Sequence, residues 1–398
     1  MRALSARLGV AGAVLVLAVI ISFIVMASVR DAVAMSLAIL VVAAGVATIT
    51  TPGLRATHPV IARAAMSTTA VVVALVATFY FSATTDYNLA TGAAMSIVLV
   101  GLSFLTGASG QISLGNGAFM GVGAFIMAIW ANHHATTPIV VTLGISVAAG
   151  ALVGFLLGLP ATRLRGPYLA GMTLAFAVAF GAILNSFNSW TGGDGGLQLP
   201  NVAAPPHWLI SLFGRSTPLL TTNTAWLTDI TLVVTGVAFF FMANLFASRT
   251  GRGMRLIRDN DVAAELVGIS LPRARVTAFV VASAYASLGG ALWTLINNSV
   301  SPSTYTFALS ITILSVIVIG GIGTITGALI GGLIYAYSTN LISWITSQTG
   351  LNPQGNLASQ LNGIIFGGLL ILTMLFAPLG IAGLVRHVWR TRARRSVP

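Results

Sequence analysis

Apolar residues gather in twelve runs along this chain, separated by short polar segments. A helix that spans the roughly 30 Å hydrocarbon core of a bilayer needs about 20 mostly apolar residues, and most of the runs have that length. The runs cover residues 8–29, 32–50, 64–82, 91–107, 115–131, 137–159, 167–186, 226–247, 276–297, 306–320, 326–346 and 357–377. The runs 91–107, 115–131 and 306–320 are short and rich in glycine or serine. The pattern predicts an all-α polytopic membrane protein with about 10 to 12 transmembrane helices, some of them short or broken.

The arginines are unevenly divided between the two ends of these runs. If the N-terminus is inside and the chain crosses twelve times, the inside connections carry 17 of the 19 basic residues, and the outside connections carry Arg30 and Arg215. Cytoplasmic loops of membrane proteins are enriched in arginine and lysine, so we expect both termini to be cytoplasmic. The net charge of +12 is then explained by the membrane topology, because cytoplasmic loops carry most of the arginines. We expect the basic tail 386–398 to lie on anionic lipid and expect no nucleic-acid partner.

Composition excludes a soluble globular domain. The chain of 398 residues is 56% hydrophobic and 7% charged, whereas soluble domains carry about 25% charged residues. All 19 basic residues are arginine, and cysteine is absent. The lack of lysine removes a phosphate-binding P-loop and a Schiff-base lysine from this chain, and the lack of cysteine removes thiolate metal sites. His133 and His134 have no third ligand at metal spacing, so we expect neither an enzyme nor a metal site.

Two glycine-rich stretches interrupt the apolar runs, at 107–117 and 320–327. In transporters, a pair of interrupted segments in the two halves points to the solute path. A break frees backbone groups that must find partners in protein or water. Residues at the two stretches are therefore predicted to lie on the path, and those of the first stretch to lie close to the bundle centre. The polar side chains of the first stretch either satisfy the backbone or face the solute. The residues predicted to lie on the path are Gln111, Ser113, Asn116, Gly321 and Thr324.

Two connections are longer than simple turns. The inside loop 248–275 holds a short helical pattern at 259–268, and Val262, Leu266 and Ile269 form an apolar stripe with helical spacing. This predicts an amphipathic helix that docks on a partner or lies flat on the bilayer. The outside loop 187–225 begins with a glycine-rich segment, and we expect it to be either an outer mouth or a flexible linker. The outer-mouth residues are Thr191, Gly192, Gly193 and Asp194.

Several motifs occur in the order found in one family. They include Gly-x-x-Gly-Gln-Ile-Ser-Leu-Gly at 107–115, Arg-Gly-Pro-Tyr-Leu-Ala at 165–170, Thr-Gly-Gly at 191–193, Ile-Arg-x-Asn at 257–260 with Ala-Ala-x-x-x-Gly-Ile at 263–269, and Gly-Gly-Ile-Gly-Thr at 320–324. Over about residues 90–377 the chain resembles the inner-membrane permease subunit of branched-chain amino-acid (LIV-type) ABC importers. Asn116 departs from the family pattern, which more often has histidine there.

The resemblance implies an organisation and a set of partners. Residues 1–85 would be additional N-terminal helices, 86–385 the permease core and 386–398 the tail. The partners would be a second, homologous permease in a heterodimer, two cytoplasmic ATPase subunits and an extracytoplasmic solute-binding protein. ATP and Mg²⁺ would be bound by those ATPases, with no cofactor in this chain. Coupling to the ATPase would fall to Arg258, Asn260, Ala263, Ala264, Glu265 and Gly268.

The solute is less closely specified than the family. The resemblance implies branched-chain or related amino acids, and the alternative is urea, a short amide or another small polar solute. Proton-coupled carriers usually place ionisable residues within the membrane. Here Asp86 and Asp194 fall in predicted outside loops, and Asp229 enters a predicted helix near its outer end. This disfavours a stand-alone secondary carrier, which would be the remaining competing class.

Overall fold

The computed structural model describes residues 83–134, 137–164, 166–199 and 223–349, with scattered positions at 60–74 and 367–383. The predicted runs 8–29 and 32–50 lie outside the described residues, as do most of 64–82 and 357–377 and all of the tail 386–398. The described residues form two compact units, one holding 83–86 and 223–244 and the other holding 87–199 and 245–349. The division of the chain at 85 and 385 stays a prediction.

Helices make up nearly all of the described chain, which confirms the all-α membrane fold. Each of the eight runs predicted between 91 and 346 coincides with a helix. The helices are α1 Ala83–Leu102, continued by a π-helix Ser103–Ala108, α2 Asn116–His133, α3 Ile139–Ala161, α4 Pro167–Ser186, α5 Asn188–Thr191, α6 Asn223–Ala247, α7 Arg249–Asp259, α8 Asp261–Leu266, α9 Leu271–Asn297, α10 Phe307–Gly320 and α11 Ile325–Thr349. Short 3-10 turns occupy Gly193–Gly195 and Pro302–Thr304.

Five helices in the described parts of the chain are long and apolar enough to cross a membrane. They are Thr84–Ala108, Ile139–Ala161, Pro167–Ser186, Trp226–Ala247 and Leu271–Asn297. Phe307–Gly320 and Ile325–Ser338 are shorter apolar helices. The run 91–107 was expected to be short, but its helix begins earlier, at Ala83. The first turn of α1 therefore contains Asp86, which is buried there and does not lie in a loop as the sequence had suggested.

Helix α9 lies at the centre of the second unit and packs against α2 and α3. The contact with α3 is made by small residues: a Cβ at Gly150 or Gly154 would overlap the side chain of Ser287 or Ser283. The Ser287 hydroxyl donates a hydrogen bond of 2.6 Å to the Ser146 carbonyl across the interface. Small residues let helix backbones approach closely where lipid removes the hydrophobic effect as a driving force. The glycine spacing in α3 is therefore a packing feature.

A two-stranded antiparallel sheet joins the segments that follow α5 and α9. Strand β1 (Leu197–Gln198) pairs with β2 (Ser299–Val300) in the register Leu197 to Val300. The Asn132 amide near the end of α2 donates to the Gln198 carbonyl at 3.2 Å. The pairing thus ties the start of the predicted outside loop to the ends of α2 and α9. Two-residue strands give no periodic signal, so the sequence did not predict them.

Candidate functional site

The first predicted break lies between the π-helix and α2. π-Helices are rare in proteins, and those that occur are often found at functional sites. Here it ends at Ala108, and the chain turns at Gly110, whose φ of +71° is accessible to glycine at little steric cost. The backbone amide of Gln111 then donates to the Leu105 carbonyl at 3.2 Å. Residues 110–115 form an irregular linker before α2 begins at Asn116. The structure thus places Gln111, Ser113 and Asn116 in or directly after the break.

The polar side chains of this break are buried, and each is partly satisfied by its neighbours. Gln111, Ser113 and Asn116 are 6%, 0% and 1% exposed. The side-chain nitrogen Nε2 of Gln111 donates to Ser109 Oγ at 3.0 Å, and the side-chain nitrogen Nδ2 of Asn116 donates to the Ser113 carbonyl at 3.2 Å. The Gln111 Oε1 and Asn116 Oδ1 atoms have no hydrogen-bond partner among the described residues. The nitrogen of each amide supports the break, and the oxygen remains available as an acceptor.

The second predicted break separates α10 from α11. Gly321 and Gly323 have φ values of +121° and +76°, and they turn the chain between the two helices. The Thr324 hydroxyl donates to the Gly321 carbonyl and accepts from the Gly327 amide, both at 2.9 Å. Thr324 therefore closes the turn and satisfies one of the amides at the start of α11 that have no helical partner. Gly321 and Thr324 act here through the backbone.

The two breaks meet. A Cβ at Gly107 would overlap the Cα and amide nitrogen of Gly323, so the two backbones are in direct contact. The Ser103 hydroxyl lies 3.5 Å from the Thr324 carbonyl across the same contact. On the other side, a Cβ at Gly380 would lie against the backbone of Gly321. We call the contact of residues 103–111 with 320–324 the junction.

Two hydroxyl groups on neighbouring helices hold the start of α2. Thr173 of α4 accepts a hydrogen bond from the Leu114 amide, and Ser310 of α10 accepts one from the Gly117 amide, both at 2.9 Å. Thr173 and Ser310 are 0% and 1% exposed. Sequence reasoning missed both residues, because a single hydroxyl in an apolar helix carries no signal of which backbone amide it meets. Their contacts fix α2 relative to α4 and α10.

The junction lies at the end of the bundle that carries the inside loop. The guanidinium of Arg258, through Nη1, donates a 2.6 Å hydrogen bond to the Gly107 carbonyl. A Cβ at Gly110 would lie 2.7 Å from Arg258 Cγ. The path residues were expected at the two breaks, and those of the first break close to the bundle centre. Four of these five residues are buried, and Thr324 is half-buried. All five lie in or next to the breaks, and their position relative to the bundle centre stays a prediction.

The inside loop forms two helices, where the sequence predicted one. The predicted helix 259–268 is shorter, Asp261–Leu266, and it is preceded by α7 at Arg249–Asp259. The chain bends at Asn260, which has an extended backbone and whose side-chain oxygen accepts from the Ala263 amide at 3.1 Å. Asparagine is a preferred N-cap because its side chain satisfies an amide in the first turn. The prediction that the helix begins at Asp259 is therefore wrong by two residues.

The predicted apolar stripe of this segment is divided between two faces. Ile269 packs with the buried residues Ile257, Ala264 and Leu271, whereas Val262 and Leu266 are 66% and 84% exposed. Asp261 forms an ion pair with Arg275 at 2.9 Å, and the Arg275 guanidinium also donates to the Thr162 carbonyl at 3.3 Å. These contacts hold α8 on the bundle and leave an exposed apolar edge.

The remaining predicted coupling residues surround this edge. Asn260, Glu265 and Gly268 are exposed, and Ala263 is half-buried. Gly268 has a φ of +83° and ends α8: its amide donates to the Glu265 carbonyl at 2.9 Å, and the Ile269 amide donates to the Ala264 carbonyl at 3.0 Å. A glycine in the left-handed conformation commonly ends a helix in this way.

The predicted outer-mouth residues lie at the far end of α4. The Thr191 hydroxyl donates to the Leu184 carbonyl at 2.9 Å and is buried. Gly192 and Gly193 both have positive φ, at +72° and +58°, and the Trp190 ring lies 5.7 Å from the His133 ring of α2. The backbone of Asp194 belongs to the 3-10 turn Gly193–Gly195, and its side chain lies outside the described residues. This part of the outside loop is folded onto α2 and α4.

Comparison with known proteins identifies the family. The family model for "Branched-chain amino acid transport system / permease component" matches residues 84–374. The high-affinity branched-chain amino acid transport system permease protein LivM of Escherichia coli (strain K12) is 29% identical over 314 residues, which cover 75% of this chain and 70% of the relative. The LivM protein of Salmonella typhimurium is 28% identical over 320 residues, with the same coverage.

A second kind of permease is also similar. The permease protein LivH of Escherichia coli (strain K12), from the same type of transport system, is 24% identical over 299 residues, which cover 73% of this chain and 92% of the relative. No solved structure gave a significant match. Because the family match covers well over half of the chain and contains both breaks and the α7–α8 segment, the chain belongs to the family of permease components of branched-chain amino acid transport systems.

Proposed function

We propose that this chain is the membrane-spanning permease subunit of an ATP-driven ABC importer for branched-chain or related amino acids. The observation that carries this proposal is the match to the permease family over residues 84–374, a range that includes both of the helix breaks that meet at the junction. The chain would work in the bacterial inner membrane with both termini in the cytoplasm, as the distribution of its arginines favours.

Energy and solute would be supplied by other subunits. The chain has no lysine and so has no P-loop of its own, which favours ATP and Mg²⁺ being bound by two separate ATPase subunits. The exposed apolar edge of α8, Val262 and Leu266, supports docking of an ATPase there, with Asn260, Ala263, Glu265 and Gly268 around it. An extracytoplasmic binding protein would deliver the solute to Thr191, Gly192, Gly193 and Asp194.

A second, homologous permease would complete the path in a heterodimer. This proposal is supported by the similarity of the chain to both LivM and LivH. We infer that the path passes Gln111, Ser113 and Asn116. Their unpartnered amide oxygens are uncharged acceptors, suited to a donor such as the ammonium group of an amino acid. Buried polar atoms are costly when they lack a partner, and a passing solute or water would supply one.

The test is uptake by the complete complex in proteoliposomes. The complex, made of this chain, its partner permease, the two ATPases and a candidate binding protein, is supplied with labelled leucine or labelled urea. Leucine uptake that requires ATP and the binding protein, and that excess isoleucine reduces, would support the proposal. Urea uptake without leucine uptake would assign the chain to the alternative solute class. Uptake without ATP would indicate a secondary carrier.

The path residues can be tested in the same system. Asn116→Leu removes the free acceptor and is expected to reduce leucine uptake without reducing assembly. Ser186→Leu is the control, because Ser186 is exposed at the end of α4 and its hydroxyl bonds within its own helix. Single cysteines at 111, 113 and 116 are expected to react with a small thiol reagent, more slowly in excess leucine. Three unreactive positions in every nucleotide state would place the path elsewhere.

A further inference from the structure

One arginine of the inside loop contacts the junction directly. Arg258 lies in the last turn of α7, and its Nη1 donates to the Gly107 carbonyl at 2.6 Å. The two residues are 151 positions apart in sequence. The last carbonyls of a helix have no partner within the helix, and the C-terminal end of a helix attracts a cation. Arg258 therefore caps the end of the helix that runs from α1 through the π-helix.

The other arginines of α7 make a different kind of contact. Arg252 Nη1 donates to the Ala247 carbonyl at 2.6 Å, and Arg255 Nη2 donates to the Phe246 carbonyl at 2.6 Å. Both of these acceptors lie in the last turn of α6, directly before α7. The three arginines share charge, helix and hydrogen-bond length, and Arg258 differs in reaching a segment distant in sequence. Charge near the membrane does not by itself account for this contact.

The Arg258 contact belongs to a continuous set of close packings. The side-chain stem of Arg258 lies against the Gly110 backbone position, and the backbone of Gly107 lies against Gly323. A further contact reaches the π-helix from the end of α6: the rings of Phe246 and Phe104 pack edge to face with centroids 5.3 Å apart. Glycine backbones in direct contact leave no side chain that can yield to a shift, so a displacement of the capped helix end reaches Gly323.

The exposed helix α8 is joined to Arg258 by a single bend. Asp259 ends α7 and Asp261 begins α8, and Asn260 between them caps α8. Arg258 also pairs with Asp259 at 3.3 Å. A force on α8 is therefore applied close to Arg258, because only Asp259 and Asn260 separate Arg258 from the first residue of α8.

We propose that Arg258 is a positioning residue that ties the α7–α8 segment to the junction, so that movement of α8 moves both breaks together. This inference rests on the proposed function in that the movement is supplied by the ATPase partners. The family resemblance placed Arg258 among residues that couple to the ATPase. The structure places its guanidinium on the Gly107 carbonyl of the junction, and the surrounding exposed residues are left for the partner.

The experiment follows movement at the break without requiring transport. Ile112 lies in the break, is 49% exposed and is not a path residue, so Ile112→Cys gives a reporter in a chain that has no cysteine of its own. The rate at which a small thiol reagent labels this chain is measured in the complete complex, without nucleotide and after trapping with ATP and vanadate. We expect the two states to differ in labelling rate.

Arg258→Met is then added to the reporter chain. Methionine keeps the apolar stem against Gly110 and removes both the charge and the hydrogen bond, so the complex is expected to assemble. We expect it to lose the nucleotide-dependent difference in labelling and to lose leucine uptake by about tenfold or more, the scale of one charge-assisted hydrogen bond, while still hydrolysing ATP. Arg252→Met is the matched control and should keep the difference and the uptake. Arg258→Lys should restore part of both.

Two results would overturn the inference. One is a labelling result that departs from this pattern. Either the Arg258→Met complex keeps the full nucleotide-dependent difference, or the reporter chain with Arg258 intact shows no difference. The other is loss of assembly or of ATP hydrolysis in Arg258→Met but not in Arg252→Met, which would make Arg258 a contact for the ATPase. Labelling and ATP hydrolysis need no solute, so failure of leucine uptake in the unmodified complex refutes the proposed solute and leaves this test valid.

Discussion

The contact between the two breaks makes a direct prediction for Gly107. In Gly107→Ala, the added Cβ would overlap the Cα and amide nitrogen of Gly323 and would lie 3.2 Å from Cγ2 of Ile322. The first two atoms belong to the backbone and cannot rotate away. The turn that contains Gly323 is held by the two Thr324 hydrogen bonds. The substitution must therefore separate the breaks or distort one of them.

The size of the effect follows from two opposing contributions. Forcing an extra methyl group into a well-packed interior costs about 1–3 kcal/mol. Replacing glycine by alanine within a helix contributes about 0.5–1 kcal/mol in the favourable direction. The steric cost is the larger, so we expect Gly107→Ala to be destabilised by about 1–2 kcal/mol. Uptake should fall as well, because the junction is displaced.

Gly144→Ala is the matched control for this substitution. Gly144 lies within α3, is exposed, and has no atom within 4 Å of an added Cβ. The helix contribution is then unopposed, and we expect about 0.5–1 kcal/mol of stabilisation. Thermal unfolding of the purified chains in one detergent, followed by circular dichroism, compares the two substitutions. If Gly107→Ala unfolds at or above the temperature of Gly144→Ala, the breaks are not in contact as described.

Three further predictions concern the inside and outside loops. Asn260→Ala removes the cap of α8 and should cost about 1 kcal/mol of local stability, seen as faster hydrogen exchange at 261–267; Asn260→Asp keeps an acceptor and should not show it. Gly268→Asp places a side chain at a φ of +83° and a charge beside the exposed edge of α8, so it should abolish transport with membrane insertion intact; unchanged solute-stimulated ATP hydrolysis would contradict the docking role. Asp194→Arg should weaken binding-protein docking in a salt-dependent manner, since rim charges act mainly through steering, and equal affinities of both forms at low salt would make this loop a linker.

The helices could be predicted from the sequence because the requirement that produces them is local. A segment that crosses lipid must be apolar over its own length and must satisfy its own backbone. The runs between 91 and 346 therefore reproduce the observed helices to within a few residues at most ends. The prediction for Asp86 was wrong because a local pattern treats a carboxylate at the start of an apolar run as a loop residue. It takes no account of burial by other segments of the chain.

The bend at Asn260 was missed for a different reason. The stripe of Val262, Leu266 and Ile269 has helical spacing, and the predicted helix was extended back to Asp259 because acidic residues favour the start of a helix. The side chain of Asn260 nevertheless competes with the helix by bonding the Ala263 amide, as short polar side chains do. A capping interpretation of Asn260 was available from the sequence, since asparagine is a favoured N-cap, and it would have divided the segment correctly.

The junction illustrates what local patterns omit. Gly107 and Gly144 are both glycines within apolar runs. Nothing in the neighbouring residues shows that Gly107 meets Gly323, whereas a Cβ added at Gly144 has no atom of the described residues within 4 Å. Arg258 likewise counts as one of many arginines that set the topology, although its hydrogen bond to Gly107 gives it a contact that Arg252 lacks. The roles of these residues depend on pairings across more than a hundred positions. A substitution must therefore be chosen from the contact a residue makes, and matched with a residue of the same type that lacks the contact.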